Sequence, residues 1–170
     1  MGLGIPCAII RPTLVFGEGD LLLNNMAWAL RRFPFFPVYG NGEYTIQPVY
    51  VEDLAAQAVE AGAQSGSSVA DAVGPEIFSF KALLRLLASS MGVRSRLVHT
   101  PPSVALALTR FVGLLVHDTA LTRDEVDGLM SGLLTSDAAP SGTTKLSNWL
   151  KDNAGGLGRH YVSEVRRNWR

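Results

Sequence analysis

Through its first hundred residues the chain alternates short apolar runs with amphipathic helical patterns, and after that only helical patterns remain. That order predicts an α/β fold built on a parallel sheet, followed by an all-helical region. Cys7-Ala8-Ile9-Ile10, led by Pro6, is the first apolar run. It suits a strand buried on both faces, as parallel sheets require. From Arg11 to Asp20 a proline and two glycines break the pattern and predict a loop. Asp20 can cap a helix over 21–33 whose apolar positions Leu22, Met26, Ala29 and Leu30 recur at helical spacing.

The stretch from Pro34 to Val51 is rich in Pro, Gly, aromatic and β-branched residues and predicts a loop with short strands. Val51, Leu54, Ala55, Ala58 and Val59 mark a helix over 52–62, with Glu52 and Asp53 favourable in its first turn. Val69 to Val73 is a second short strand, ended by Gly74-Pro75-Glu76. Ser79 opens a helix with Phe80, Leu83, Leu84, Leu87 and Met91 on one stripe, and Gly92 stops it. Arg96 to His99 reads as a strand. Pro101-Pro102-Ser103 precedes an apolar helix to Val116, and Thr122 with Glu125 makes a capping box before Val126, Leu129, Met130, Leu133 and Leu134. Residues 136–142 are the best linker in the chain, dividing a helical region, 101–170, that follows an α/β part, 1–100. A short helix over 144–152 and a last one ending at Trp169 complete the reading.

Charge excludes several classes. The 170 residues hold 15 basic and 15 acidic side chains, which argues against nucleic-acid binding driven by phosphate neutralisation. Residues 1–158 carry −3, and 159–170 carry +3 through Arg159, Arg166, Arg167 and Arg170 against Glu164. A solvated helix end explains that tail, where cations suit the helix dipole. Uncharged stretches such as 97–109 fall short of the ~20 apolar residues a spanning helix needs. One cysteine, Cys7, excludes an internal disulfide and fits a reducing compartment, so a cytoplasmic setting is expected.

Motifs that carry chemistry are scarce. His99, His117 and His160 lack metal-ligand spacing. Cys7, in an apolar strand, reads as a packed thiol. There is no nucleophile elbow and no P-loop. The glycine pairs Gly2/Gly4, Gly17/Gly19 and Gly40/Gly42 never complete G-x-G-x-x-G, and Gly40 and Gly42 read as turn residues. Tyr39, Tyr44, Tyr50 and Tyr161 have no lysine four residues on, so no tyrosine acid with a lysine to lower its pKa is built locally.

What remains is a series: Arg11-Pro12-Thr13-Leu14-Val15-Phe16-Gly17, then Gly40-Asn41-Gly42, then Val49-Tyr50-Val51-Glu52-Asp53-Leu54-Ala55, then Gly74-Pro75-Glu76. Over roughly residues 4–100 this resembles the C-terminal half of the extended or atypical short-chain dehydrogenase/reductases, the NAD-dependent epimerase/dehydratase superfamily. The resemblance implies the C-terminal portion of a Rossmann-type doubly wound fold, with few short parallel strands. It implies that Pro12, Thr13, Leu14 and Val15 line the nicotinamide end of NAD or NADP in a longer parent. The family's G-x-x-G-x-x-G turn and Y-x-x-x-K pair lie upstream of the matching region. The isolated chain is therefore expected to bind no cofactor and to be catalytically incompetent.

Nucleotide-sugar members carry an Arg-Asp pair where this chain has Ile46 and Gln47, and an isoleucine cannot pair with phosphate. A small apolar or lipid-like substrate on that side fits better, and the variant looks more like the atypical branch that includes the complex I accessory subunit. Asp53 reads as a helix N-terminal carboxylate rather than a ligand. Two other roles stay open: a non-catalytic accessory or assembly subunit, and a peripheral membrane module using 104–116 and the basic tail. The expected partner is the missing Rossmann half or a second copy, because the edge of the Cys7–Ile10 strand and the Leu83/Leu84/Leu87 face would otherwise stand bare; the alternative is a rearranged fold in which the C-terminal helices cover the gap.

Overall fold

A computed structural model describes residues 5–101, 104, 128 and 131–163. The element order is β1 (Ala8–Pro12), β2 (Leu14–Phe16), α1 (Leu21–Arg32), β3 (Phe35–Tyr39), β4 (Thr45–Ile46), β5 (Pro48–Tyr50), α2 (Val51–Gly62), β6 (Ser68–Ala72), β7 (Phe78–Ser79), α3 (Phe80–Ser90), β8 (Arg96–Thr100) and α4 (Leu146–Asn153). The helix expected over 104–116, the capping box at Thr122, and the basic tail beyond Ser163 lie outside the described residues.

Three strand pairs are parallel, β1 with β6, β2 with β5 and β3 with β8, and β4 pairs antiparallel with β7. The stretch expected as a loop from Arg11 is strand as far as Phe16. Thr13 alone interrupts it, and the chain turns only at Gly17. Pro12 is tolerated because, among the described strands, β1 pairs only with β6, and an edge strand has no second ladder needing the missing N–H.

The helices follow their end signals. Asp20 accepts from the N–H groups of Leu22 and Leu23 at the start of α1. Ser79 accepts from Ala82 N–H at the start of α3, and Gly92, at φ +66, lies just past its C-cap Met91. On α1 the inward stripe is Leu23, Met26, Ala27 and Leu30. Leu22, expected inside, is exposed, because the face is rotated by one residue.

The core gathers under α3. Leu83, Leu84 and Leu87 are fully buried among Leu23, Met26 and Leu30 of α1 and Leu146 and Leu150 of α4. The bare apolar face expected on α3 is thus covered. The C-terminal segment continues along the polar side of α1. There Asn25 exchanges hydrogen bonds with Val162, Asn24 donates to His160 C=O, and Arg31 donates to Leu157 C=O.

The β1–β6 pair is the reverse. Cys7–Ile10, expected to be buried on both faces, is largely open: Ile9 is 44% exposed and its register partner Val69 is 54% exposed. Cys7 is exposed rather than packed. Helix α2 packs against β1, β5 and β6 yet buries none of its residues, and Val59 is 77% exposed. Among the described residues, Ile9 and Val69 keep much of their apolar surface open.

Candidate functional site

β2 and β5 run parallel, and a helix leaves from the carboxyl end of each. After β2 the chain turns through Gly17–Asp20 into α1, and after β5 it enters α2 directly at Val51. Open α/β sheets place ligands at this end. An open cleft of about 360 Å³ lies there, lined by Val15, Phe16, Glu18, Asp20, Leu21 and Val51. Gly17 permits it: its φ is +156, and a Cβ at that position would come within 2.5 Å of Val51 Cγ1. Phe16 supports the floor, tilted against Tyr50 at 5.4 Å and edge-on to Trp149 at 5.7 Å.

The cleft is apolar in its walls and negative at its rim. Asp20 spends its carboxylate on the N–H groups of Leu22 at 3.3 Å and Leu23 at 2.7 Å, so α1 offers them to its own cap rather than to a phosphate. Partial burial, then Glu52, Asp53 and Glu18, raise the Tyr50 phenol above its usual range. The combination suits a flat neutral or cationic ring and disfavours a phosphate group.

Of the four residues expected on the nicotinamide side, the structure brings only Val15 to the cleft wall. Leu14 is turned into the core at 7% exposure, and Pro12 is exposed at the end of β1. Thr13 is a junction: its N–H donates to Ala72 C=O at 3.2 Å and its hydroxyl donates to Gln47 C=O. Ile46 and Gln47, expected beside a substrate, face inward at 1% and 3% exposure. Gln47 is consumed by internal bonds. Its N–H donates to Leu134 C=O at 2.8 Å, its Nε2 donates to Gly74 C=O at 2.9 Å, and its Oε1 accepts from Ser136 N–H at 3.3 Å. A buried amide keeps such partners because an unmade bond costs roughly 1–3 kcal/mol.

Asp53 does more than stand at a helix start. Its Oδ2 accepts from the N–H groups of Thr143 and Thr144, each at 2.8 Å. Asp71 accepts from the Ser136 hydroxyl at 2.6 Å and from Arg11 at 2.7 Å, and these two partners, Ser136 foremost, hold its carboxyl below the usual range. Sequence reasoning missed the cleft residues Phe16, Leu21 and Val51, although the ligand-at-carboxyl-end rule points to the turn after β2. Asp71 and Glu76 carried no local signal, because their partners lie 65 and 71 residues away.

The Tyr44 hydroxyl is buried without a partner among the described residues, its ring stacked on Phe80 at 5.2 Å, and burial pushes its phenol well above the usual range. Lys81 is paired with Glu43 at 2.6 Å. Among the described residues no group of three or more His, Cys, Asp or Glu stands where it would hold a metal ion.

The fold is similar to that of solved proteins. Human epimerase family protein SDR39U1 (isoform 2), solved with NADPH, matches 88% of this chain and 48% of its own at 18% identity and a TM-score of 0.59. UDP-glucuronic acid 4-epimerase from Bacillus cereus, solved with UDP-glucuronic acid and NAD, matches 88% and 44% at 17% identity and a TM-score of 0.55. The chain shares the Rossmann-like α/β fold of these structures.

Two curated relatives of this chain share a name, "NADH dehydrogenase [ubiquinone] 1 alpha subcomplex subunit 9, mitochondrial". That of Arabidopsis thaliana is 28% identical over 77% of this chain and 35% of its own length, and that of Dictyostelium discoideum is 29% identical over 54% and 26%. The chain spans about a third or less of these relatives. No family model matches it. Among the described residues no helix is long and apolar enough to cross a membrane.

Proposed function

We propose that this chain supplies the substrate-side portion of an NAD(P)-dependent, epimerase/dehydratase-like oxidoreductase, contributing the Pro12–Val15 segment, with Val15 toward the nicotinamide, and no catalytic acid or base. The observation that carries this reading is the cleft at the carboxyl ends of β2 and β5, with Val15 in its wall and carboxylates at its rim. An apolar, negatively rimmed cleft suits a nicotinamide ring, while the pyrophosphate needs the N–H-rich turn of the other half. NAD or NADP would bind to the longer parent, and the hydride would pass to a small apolar substrate.

Two measurements test this reading. Titration calorimetry of the isolated chain with NAD and NADP should show no low-micromolar dissociation constant; finding one would remove the need for a second half. In the longer parent, Thr13→Glu should weaken cofactor binding at least tenfold, ~1.4 kcal/mol. It would place a carboxylate among the carbonyl oxygens of Gln47 and Ala72 that Thr13 now touches. Unchanged cofactor affinity would mean the loop is elsewhere.

A second reading, a non-catalytic accessory or assembly subunit, is favoured by the similarity to the two subunit 9 proteins and by the open Ile9–Val69 face. A neutral cytoplasmic or membrane-peripheral setting accommodates both readings. On either, the uncharged edge from Ile5 to Ile10 needs a partner, the parent's other half or a second copy. Light scattering of the isolated chain at micromolar concentration should give a mass above that of the monomer, and Ile9→Lys should lower it. A clean monomer with a cooperative melt would overturn the open-edge reading.

A further inference from the structure

We propose that residues 136–145 form a latched strap beside the ends of β5 and β6 that lifts as one unit while α4 stays with the core. Three of its hydrogen bonds end on two carboxylates, and the first turn of α4 just beyond it is tied to a third. Asp53 of α2 accepts from Thr143 and Thr144 N–H, both at 2.8 Å. Asp71 of β6 accepts from the Ser136 hydroxyl at 2.6 Å. Glu76, beyond β6, accepts from Ser147 N–H at 3.0 Å and from its hydroxyl at 2.6 Å. Between these latches Val73 C=O accepts from Ser141 and Gly142 N–H at 3.0 Å, and Ser141 Oγ accepts from Val73 N–H at 3.0 Å.

Burial contributes little to this segment. Residues 137–141 are exposed small or polar residues, and within 136–145 only Gly142 is buried. Gly142 lies so close that a Cβ there would sit 2.9 Å from Asp53 Oδ2. The apolar anchors begin with Leu146 and Leu150, which are in the core. A segment held by hydrogen bonds and not by apolar contact belongs to the low-stability end of a fold and opens without global unfolding. The hinge sides differ accordingly: α4 stays with the core while the strap before it moves.

What the strap covers gives the motion a consequence. It lies on Val73, where β6 ends and Gly74 passes under the backbone of Pro48. Its first residue is tied through Gln47 Oε1 to the same residue whose carbonyl takes the Thr13 hydroxyl. Lifting the strap therefore frees one side of the Thr13–Gln47 junction.

Hydrogen exchange of the intact chain under native conditions tests this. The amides of Ser141, Gly142, Thr143 and Thr144 should exchange at least tenfold faster than those inside α3, through an opening that leaves α3 protected. In the Asp53→Ala variant the strap amides should speed up by at least a further tenfold with α3 unchanged, and Asp53→Asn, which keeps an acceptor oxygen, should fall between. Equal protection of strap and α3 in the wild-type chain would overturn the proposal. So would an Asp53→Ala variant in which both lose protection together, or one with strap exchange unaltered.

Discussion

Leu84→Ala should destabilise the chain by about 2–5 kcal/mol, while Val59→Ala should cost nothing measurable. Both residues sit on an apolar helical stripe in the sequence, yet Leu84 is fully buried and Val59 is 77% exposed. Truncating Leu84 leaves a cavity between α3 and its neighbours that a close-packed core cannot refill. Truncating Val59 removes no packed contact, and alanine is the better helix former by up to about 0.7 kcal/mol, so a slight gain is the expected sign. Urea unfolding decides it: the midpoint should fall for Leu84→Ala at unchanged slope and stay level or rise for Val59→Ala. A matching loss at Val59 would mean that α2 is covered in solution.

The same contrast shows what was legible in the sequence. Helix periodicity, the caps at Asp20 and Ser79 and the stop at Gly92 are local, and they gave α1 and α3 nearly residue by residue. The turn at Gly40 and Gly42, both at positive φ, was equally local. Which stripe is covered is not local: Leu83, Leu84 and Leu87 were expected bare and are buried because α1 and α4 close over them. The loop expected from Arg11 to Asp20 became strand through Phe16 because β5 and β6 supply ladders that an exposed Pro12 does not disturb. At the site, the carboxyl end of the strand was readable, but only Val15 of the four residues named there reaches the cleft. Thr13 and Gln47 were singled out for different ligands and instead bond to each other across 34 residues. The strap was read only as a linker, because small residues between proline and glycine look alike whether they are free or held by distant carboxylates.

Gly74→Ala should be a strongly damaging single methyl. In the sequence, Gly74 is only the residue that ends a strand before Pro75. In the fold its missing side chain is the space through which β5 passes: a Cβ would stand 1.7 Å from Pro48 O, 2.7 Å from Pro48 C and 3.2 Å from Val49 Cα. No side chain can rotate away to relieve this, since every contact is backbone, so β5 and the end of β6 must separate. Overpacking of that kind costs about 1–3 kcal/mol or more. The separation would also pull Gly74 C=O from Gln47 Nε2, now 2.9 Å away, and strand a buried amide at a further cost of about 1–3 kcal/mol. Gly62→Ala is the control. At the end of α2 a Cβ meets nothing within 4 Å, so the variant should gain up to about 1 kcal/mol by losing glycine's freedom in the unfolded chain. Thermal melts of the two variants should therefore move in opposite directions, and because Gln47 also holds Ser136, strap exchange should quicken in Gly74→Ala alone. A Gly74→Ala chain that melts with the wild type would show that β5 and β6 do not approach as closely as Pro48 and Gly74 do here.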